Sequence, residues 1–103
     1  MASASVKFSP GNIIKHEKYD YRGVIFDVDL TFQGSAEWYQ QVALSRPPKD
    51  APWYHVLVDG TEQITYVAER HLGLSDDYSV IDNPLVNELF TGLVGQHYHV
   101  YQQ

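Results

Sequence analysis

Hydrophobic and polar residues alternate with period two in several short stretches. The clearest is Tyr21 to Asp29, where Val24, Phe26 and Val28 fall on one face and Ile25, Asp27 and Asp29 on the other. Trp53 to Val58, aromatic and β-branched throughout, predicts the strongest strand, and Gln63 to Ala68 predicts another. Ile13 to His16 and His97 to Tyr101 add two short ones near the ends of the chain. Helical spacing occurs twice. Ser35 is placed as an N-cap, and Trp38, Tyr39 and Val42 share a face, so a short helix is expected before Pro47-Pro48. Asn83-Pro84 opens a second, with Leu85, Val86, Leu89 and Phe90 on one side and Gly92 and Gly95 as terminators. Residues 1–9 are rich in Ser and Ala and read as a loose arm. Residues 10–103 read as one domain with a C-terminal extension.

Between the two central strands, Asp59-Gly60 is a hairpin signal. A two-residue loop there would set Val56 against Gln63 and Tyr54 against Thr65. A slip of one residue pairs Val56 with Ile64 and Tyr54 with Tyr66. A buried face specifies register strongly, so the second pairing is expected, with a bulge near the turn. The expected core is Ile14, Val24, Phe26, Val28, Tyr54, Val56, Ile64 and Tyr66. Gly11, Gly23 and Gly60 read as turn and bulge residues. Short strands joined by short turns predict a mainly β fold, a small barrel.

Composition narrows the functional classes. At 103 residues the chain has room for one small domain. It has no cysteine, which excludes disulfides, thiolate metal sites and thiol catalysis. Its first eight residues lack the apolar core of a signal peptide, and no apolar run reaches the roughly 18 residues of a membrane helix. A cytoplasmic protein with no membrane partner is the expectation. The net charge is −6, and it is uneven: residues 1–49 carry six bases and five acids, residues 50–103 one base and eight acids. No basic tract exists, which argues against duplex DNA, whose binding draws on phosphate neutralisation.

Catalytic chemistry finds little support. Asp27 and Asp29 share a strand face, which reads as a solvated face; calcium would need roughly six to eight oxygen ligands. His97 and His99 form an H-x-H pair, to which His16, His55 or His71 could add a third ligand. No carboxylate or Cys stands at motif spacing, so no metal or cofactor is assigned. No Ser sits in a nucleophile elbow, and no glycine pattern fits phosphate. A non-enzymatic role follows. The sharpest local feature is Trp53, His55 and Leu57 on one strand face, with Val67 opposite. Left open, that face would be a partner or assembly surface. The competing reading covers it with the terminal segment or with residues 34–46.

The block Ala51-Pro52-Trp53-Tyr54-His55-Val56-Leu57-Val58 resembles the heat-shock protein HspQ, or YccV-like, family, also called the hemimethylated-DNA-binding domain. Pro10 to His16, Tyr21 to Asp29, Thr65 to Leu72, and Ile81 to Leu85 with Phe90 and Tyr98 extend the likeness over most of residues 10–101. One position departs: Asn83 stands where the longer members have His before Pro. The resemblance implies an SH3-like β-barrel in a cytosolic bacterial protein, and self-association as a trimer. It implies two activities. One is promoting turnover of particular client proteins by an ATP-dependent protease during stress. The other is binding hemimethylated DNA. Charge favours the adaptor; the DNA alternative needs Lys15, Lys18, Arg22, Arg46 and Lys49 to cluster in space.

Overall fold

A computed structural model describes residues 6–101. The elements are β1 (Ile13–His16), β2 (Tyr21–Asp29), α1 (Ala36–Val42), β3 (Trp53–Val58), β4 (Ile64–Ala68), β5 (Leu72–Leu74), α2 (Val86–Leu89), β6 (Phe90–Val94) and β7 (His97–Val100). The fold is mainly β. Five strands form an antiparallel sheet in the order β4-β3-β2-β1-β5, and β6 and β7 pair separately. The sheet curls so far that the Tyr21 hydroxyl on β2 meets Thr65 Oγ1 on β4 at 2.8 Å. Among the described residues no ladder joins β4 to β5, so the sheet keeps two edges and is not closed into a ring by strand pairing.

Two local features overturn the expected facing. Phe26 is the extra residue of a bulge in β2: Ile25 lies opposite Val56, while Asp27 lies opposite His55. Ile25 and Val28 therefore both face inward, and Val24 and Phe26 pack on the outer side. In the β3–β4 hairpin, Tyr54 pairs with Val67, Val56 with Thr65 and Leu57 with Ile64. That is one residue beyond the expected slip, with a loop of residues 59–62. The polar groups of the loop explain it. Thr61 Oγ1 donates to the Val58 carbonyl and accepts from Gln63 N–H, and the Asp59 carboxylate accepts from Arg22 and from Asp82 N–H. A tighter loop would lose these bonds. Ile64 consequently turns outward and is 51% exposed, and Tyr66 joins the outer face.

Three apolar clusters result. Inside the curl, Ile14, Ile25, Tyr54, Val56, Val67 and Leu72 pack with Phe8, whose ring meets Tyr54 edge-on at 5.6 Å. Phe8, expected in the loose arm of residues 1–9, is thus packed into the core; residues 1–5 of that expected arm lie outside the described residues. On the outer face, the C-terminal segment lays Ile81, Val86, Phe90 and Tyr98 over Ile13, Val24 and Leu57. At the far end of β3, Tyr39 and Ala43 pack on Trp53 and Ala68, with Phe32, Trp38 and Tyr66 around them.

The two helices are short. Ser35 Oγ accepts Trp38 N–H at 3.0 Å, the expected N-cap of α1. Arg46 closes its other end by donating to the carbonyls of Tyr39, Gln40 and Ala43, so the helix stops before the two prolines. The C-terminal helix is confirmed but brief: the chain turns extended at Phe90, and Gly92 sits within β6 rather than ending a helix. Gly95, at φ +62°, makes the turn into β7. Gly11 has φ +101°, and a Cβ there would run into the Tyr98 carbonyl, so this turn against β7 requires glycine. No helix among the described residues is long and apolar enough to cross a membrane.

Candidate functional site

The face proposed from sequence as a partner surface is closed. Trp53 is 1% exposed, Leu57 0% and Val67 5%. The residue 34–46 excursion covers Trp53, and the C-terminal segment covers Leu57. Val67 lies on the opposite side of the sheet, against Tyr54, because of the register. His55 alone stays half-open, between the two covers. As a carboxylate only accepts, His55 Nε2 donates to Asp29 Oδ2 at 3.0 Å, and the Tyr66 hydroxyl donates to the same oxygen at 2.7 Å. Burial, and then this bond to Asp29, push the Tyr66 phenol up to about 12. Asp27 completes a cluster whose ligand atoms lie within 4.8 Å of one another. Asp29 is satisfied within the chain, so the cluster acts as a polar clasp between β2, β3 and β4. His97 and His99 stand with their rings perpendicular and 6.2 Å apart, and among the described residues no third ligating group joins them.

The open concavity lies elsewhere, along the edge of β4. It measures about 360 Å³ and touches every residue from Ile64 to Ala68. Residues from both faces of β4 line it, which places it at the strand's edge. One wall is Trp38, Val42 and Leu44 from α1 and the loop beyond; the other is His16, Tyr19 and Tyr21 from the β1–β2 hairpin. Tyr19, Val42, Leu44 and Ile64 are exposed apolar side chains on its rim.

Two histidines come together here. His16 and His71 stack at 5.5 Å because Glu17 N–H, just past β1, bonds the His71 carbonyl. His16 Nδ1 accepts from the backbone N–H groups of Lys18 and Tyr19, so its other nitrogen carries the proton. Burial lowers the His16 pKa; His71 and Lys18 lower it further, and Glu17 opposes them. His71 is lowered by burial and then by Arg70 and Lys18, and its Nε2 meets Ser45 Oγ at 2.8 Å. The lining holds Lys18 and these two histidines and no carboxylate.

Each of the five candidate DNA-contacting bases is engaged within the chain. Lys15 pairs with Asp20 at 3.2 Å, and Lys18 lies over the Tyr19 ring. Arg22 is the most committed: it bridges Asp59 and Asp77 and donates to the carbonyls of Asp77, Ser79 and Val80. Arg46 caps α1, and Lys49 Nζ sits 4.3 Å from the centre of the Tyr39 ring. Only Lys18 belongs to the groove. The groove itself was not foreseen. Its aromatic residues are visible in the sequence, but their convergence depends on which strand forms the edge.

A small curled antiparallel domain with an aromatic-walled groove is the class these features define. The family model described as hemimethylated DNA-binding protein YccV like matches residues 6–97, and the chain belongs to this YccV-like family.

Proposed function

We propose that this protein is a non-enzymatic, cytoplasmic adaptor. It docks particular proteins and promotes their degradation by an ATP-dependent protease under stress. Its sheet, curled across Tyr21 and Thr65, is read as an SH3-like barrel whose edge is left for partners. The observation that carries the reading is the open groove beside β4, with Tyr19, Val42, Leu44 and Ile64 exposed together on its rim. The commitment of Arg22 and Arg46 to internal acceptors and the −6 charge point the same way, toward protein rather than nucleic acid. Self-association as a trimer completes the reading and is tested by light scattering. The decisive assay measures turnover of a client by purified protease with and without this protein. Turnover should rise with wild type and fall back with Leu44→Glu, a change at an exposed rim position. No effect of wild type on any client would overturn the adaptor reading.

The family's description favours a second reading, recognition of hemimethylated DNA. On this reading the flat faces of Trp38 and Tyr66 would stack a base. Fluorescence anisotropy on hemimethylated and unmethylated duplexes separates the two: submicromolar, methylation-dependent binding at physiological salt would install the DNA reading in place of the adaptor.

A further inference from the structure

We infer that the groove takes an extended peptide segment that adds to β4 as a strand, apolar along its length and acidic at one end. The inference rests on the adaptor reading and names what the docked partner must look like. Its first support is the backbone. Val58 N–H bonds the Gln63 carbonyl, and hydrogen-bonded pairs alternate along an antiparallel ladder. Thr65 and Val67 therefore spend their backbone groups on β3, while Ile64, Tyr66 and Ala68 aim theirs away from it, into the groove. Among the described residues nothing bonds to those three backbones.

The second support is what β4 lacks. Exposed edges are ordinarily blunted by charge, proline or a bulge. Ile64-Thr65-Tyr66-Val67-Ala68 has no charge and no proline, and its pairing with β3 runs without a register break. An unguarded edge flanked by a cavity is the arrangement used for strand addition, where main-chain bonds hold the peptide and pockets read alternate side chains. Trp38 and Val42 on one side and Tyr21 on the other offer those pockets. The third support is charge. On a chain of net charge −6, this groove is lined by the Lys18 ammonium and the neutral imidazoles of His16 and His71 with no carboxylate, so Lys18 complements an acidic end.

The test uses three labelled nine-residue peptides that alternate threonine with valine or leucine. One ends in two aspartates, one in two lysines, and one is the aspartate peptide in scrambled order. Anisotropy should show the aspartate peptide binding about tenfold tighter than the lysine peptide, a preference that Lys18→Glu removes or reverses. In ¹⁵N spectra the amides of Ile64, Tyr66 and Ala68 should move on titration, and Leu44→Glu should weaken binding while leaving the spectrum folded. Equal affinity for the two charged peptides, or shifts confined to other strands, overturns the inference. So does an edge that pairs with a second copy, seen as β4 amides that change with protein concentration and ignore the peptide. If clients are degraded faster but the aspartate peptide does not bind, the segment chemistry fails and the adaptor stands. If the peptide binds as described but client turnover never changes, the adaptor reading fails and the groove chemistry stands.

Discussion

His16 is a buried imidazole, 4% exposed, facing His71 and Lys18 with only Glu17 as a nearby negative charge. Its pKa lies below the ordinary value near 6.5, so the folded state favours the neutral ring. The unfolded chain then binds more protons, and stability present above about pH 6.5 is lost as the pH falls through the folded-state value. His71 acts in the same direction. The melting temperature should therefore drop from pH 7.5 to pH 5, and an imidazole NMR titration should give a His16 midpoint below that of a free histidine. A second residue-scale expectation concerns β3. Trp53 touches Phe32, Trp38, Tyr39 and Tyr66 and donates its indole N–H to the Pro48 carbonyl. Trp53→Ala should cost about 3–5 kcal/mol in urea unfolding, as for other buried aromatics. Tyr54→Phe keeps the ring but removes the hydroxyl that donates to Glu69 at 2.5 Å, and should cost about 1.5–3 kcal/mol.

Among the elements, the acidic stretch between β5 and α2 depends most on one side chain. Arg22 on β2 donates to three of its carbonyls and pairs with the Asp77 carboxylate, and also holds Asp59 of the β3–β4 loop. Arg22→Ala should raise amide exchange across residues 77–82 and cost about 0.5–1.5 kcal/mol, because the exposed carbonyls of Asp77, Ser79 and Val80 lose their charged donor and turn to water. The positions of β1, β2, β3 and α1 are legible from alternation and from one capping serine, since period and cap are local signals. The facing of β2 is not: the bulge at Phe26 answers to packing against β3, which alternation along one strand cannot report. The hairpin register is set by hydrogen bonds from Thr61 and Asp59 to distant partners, so turn chemistry and apolar matching both miss it. Phe90 satisfies a helical period yet begins β6, because Val100 pairs with it. The groove was hidden for the same reason. His16 and His71 are 55 residues apart in sequence, and only the strand order shows that β4 is an edge.

For the molecule as a whole, charge sets what it can meet. With a net charge of −6 and Arg22 and Arg46 bound to internal acceptors, hemimethylated duplex should bind no tighter than the roughly 10⁻⁴–10⁻⁶ M typical of sequence-independent contacts, and weaken further with salt. An anisotropy titration at two salt concentrations checks this. The hairpin β6–β7 carries a different consequence. Tyr98 N–H bonds the Gly11 carbonyl, the Tyr98 hydroxyl accepts Ile81 N–H, and Asn12 bridges to His97. Residues up to Leu74 contain every strand of the five-stranded sheet, yet they do not make a self-sufficient fragment. A chain stopped at Leu74 bares Ile13, Val24 and Leu57 together, each side chain losing burial of about 1.5–3 kcal/mol. That fragment should precipitate or bind hydrophobic dye. By contrast, a single protease nick between Leu74 and Ile81 should leave two pieces that co-elute from a sizing column and separate only on a denaturing gel, the tail staying on as a noncovalent cover of the sheet.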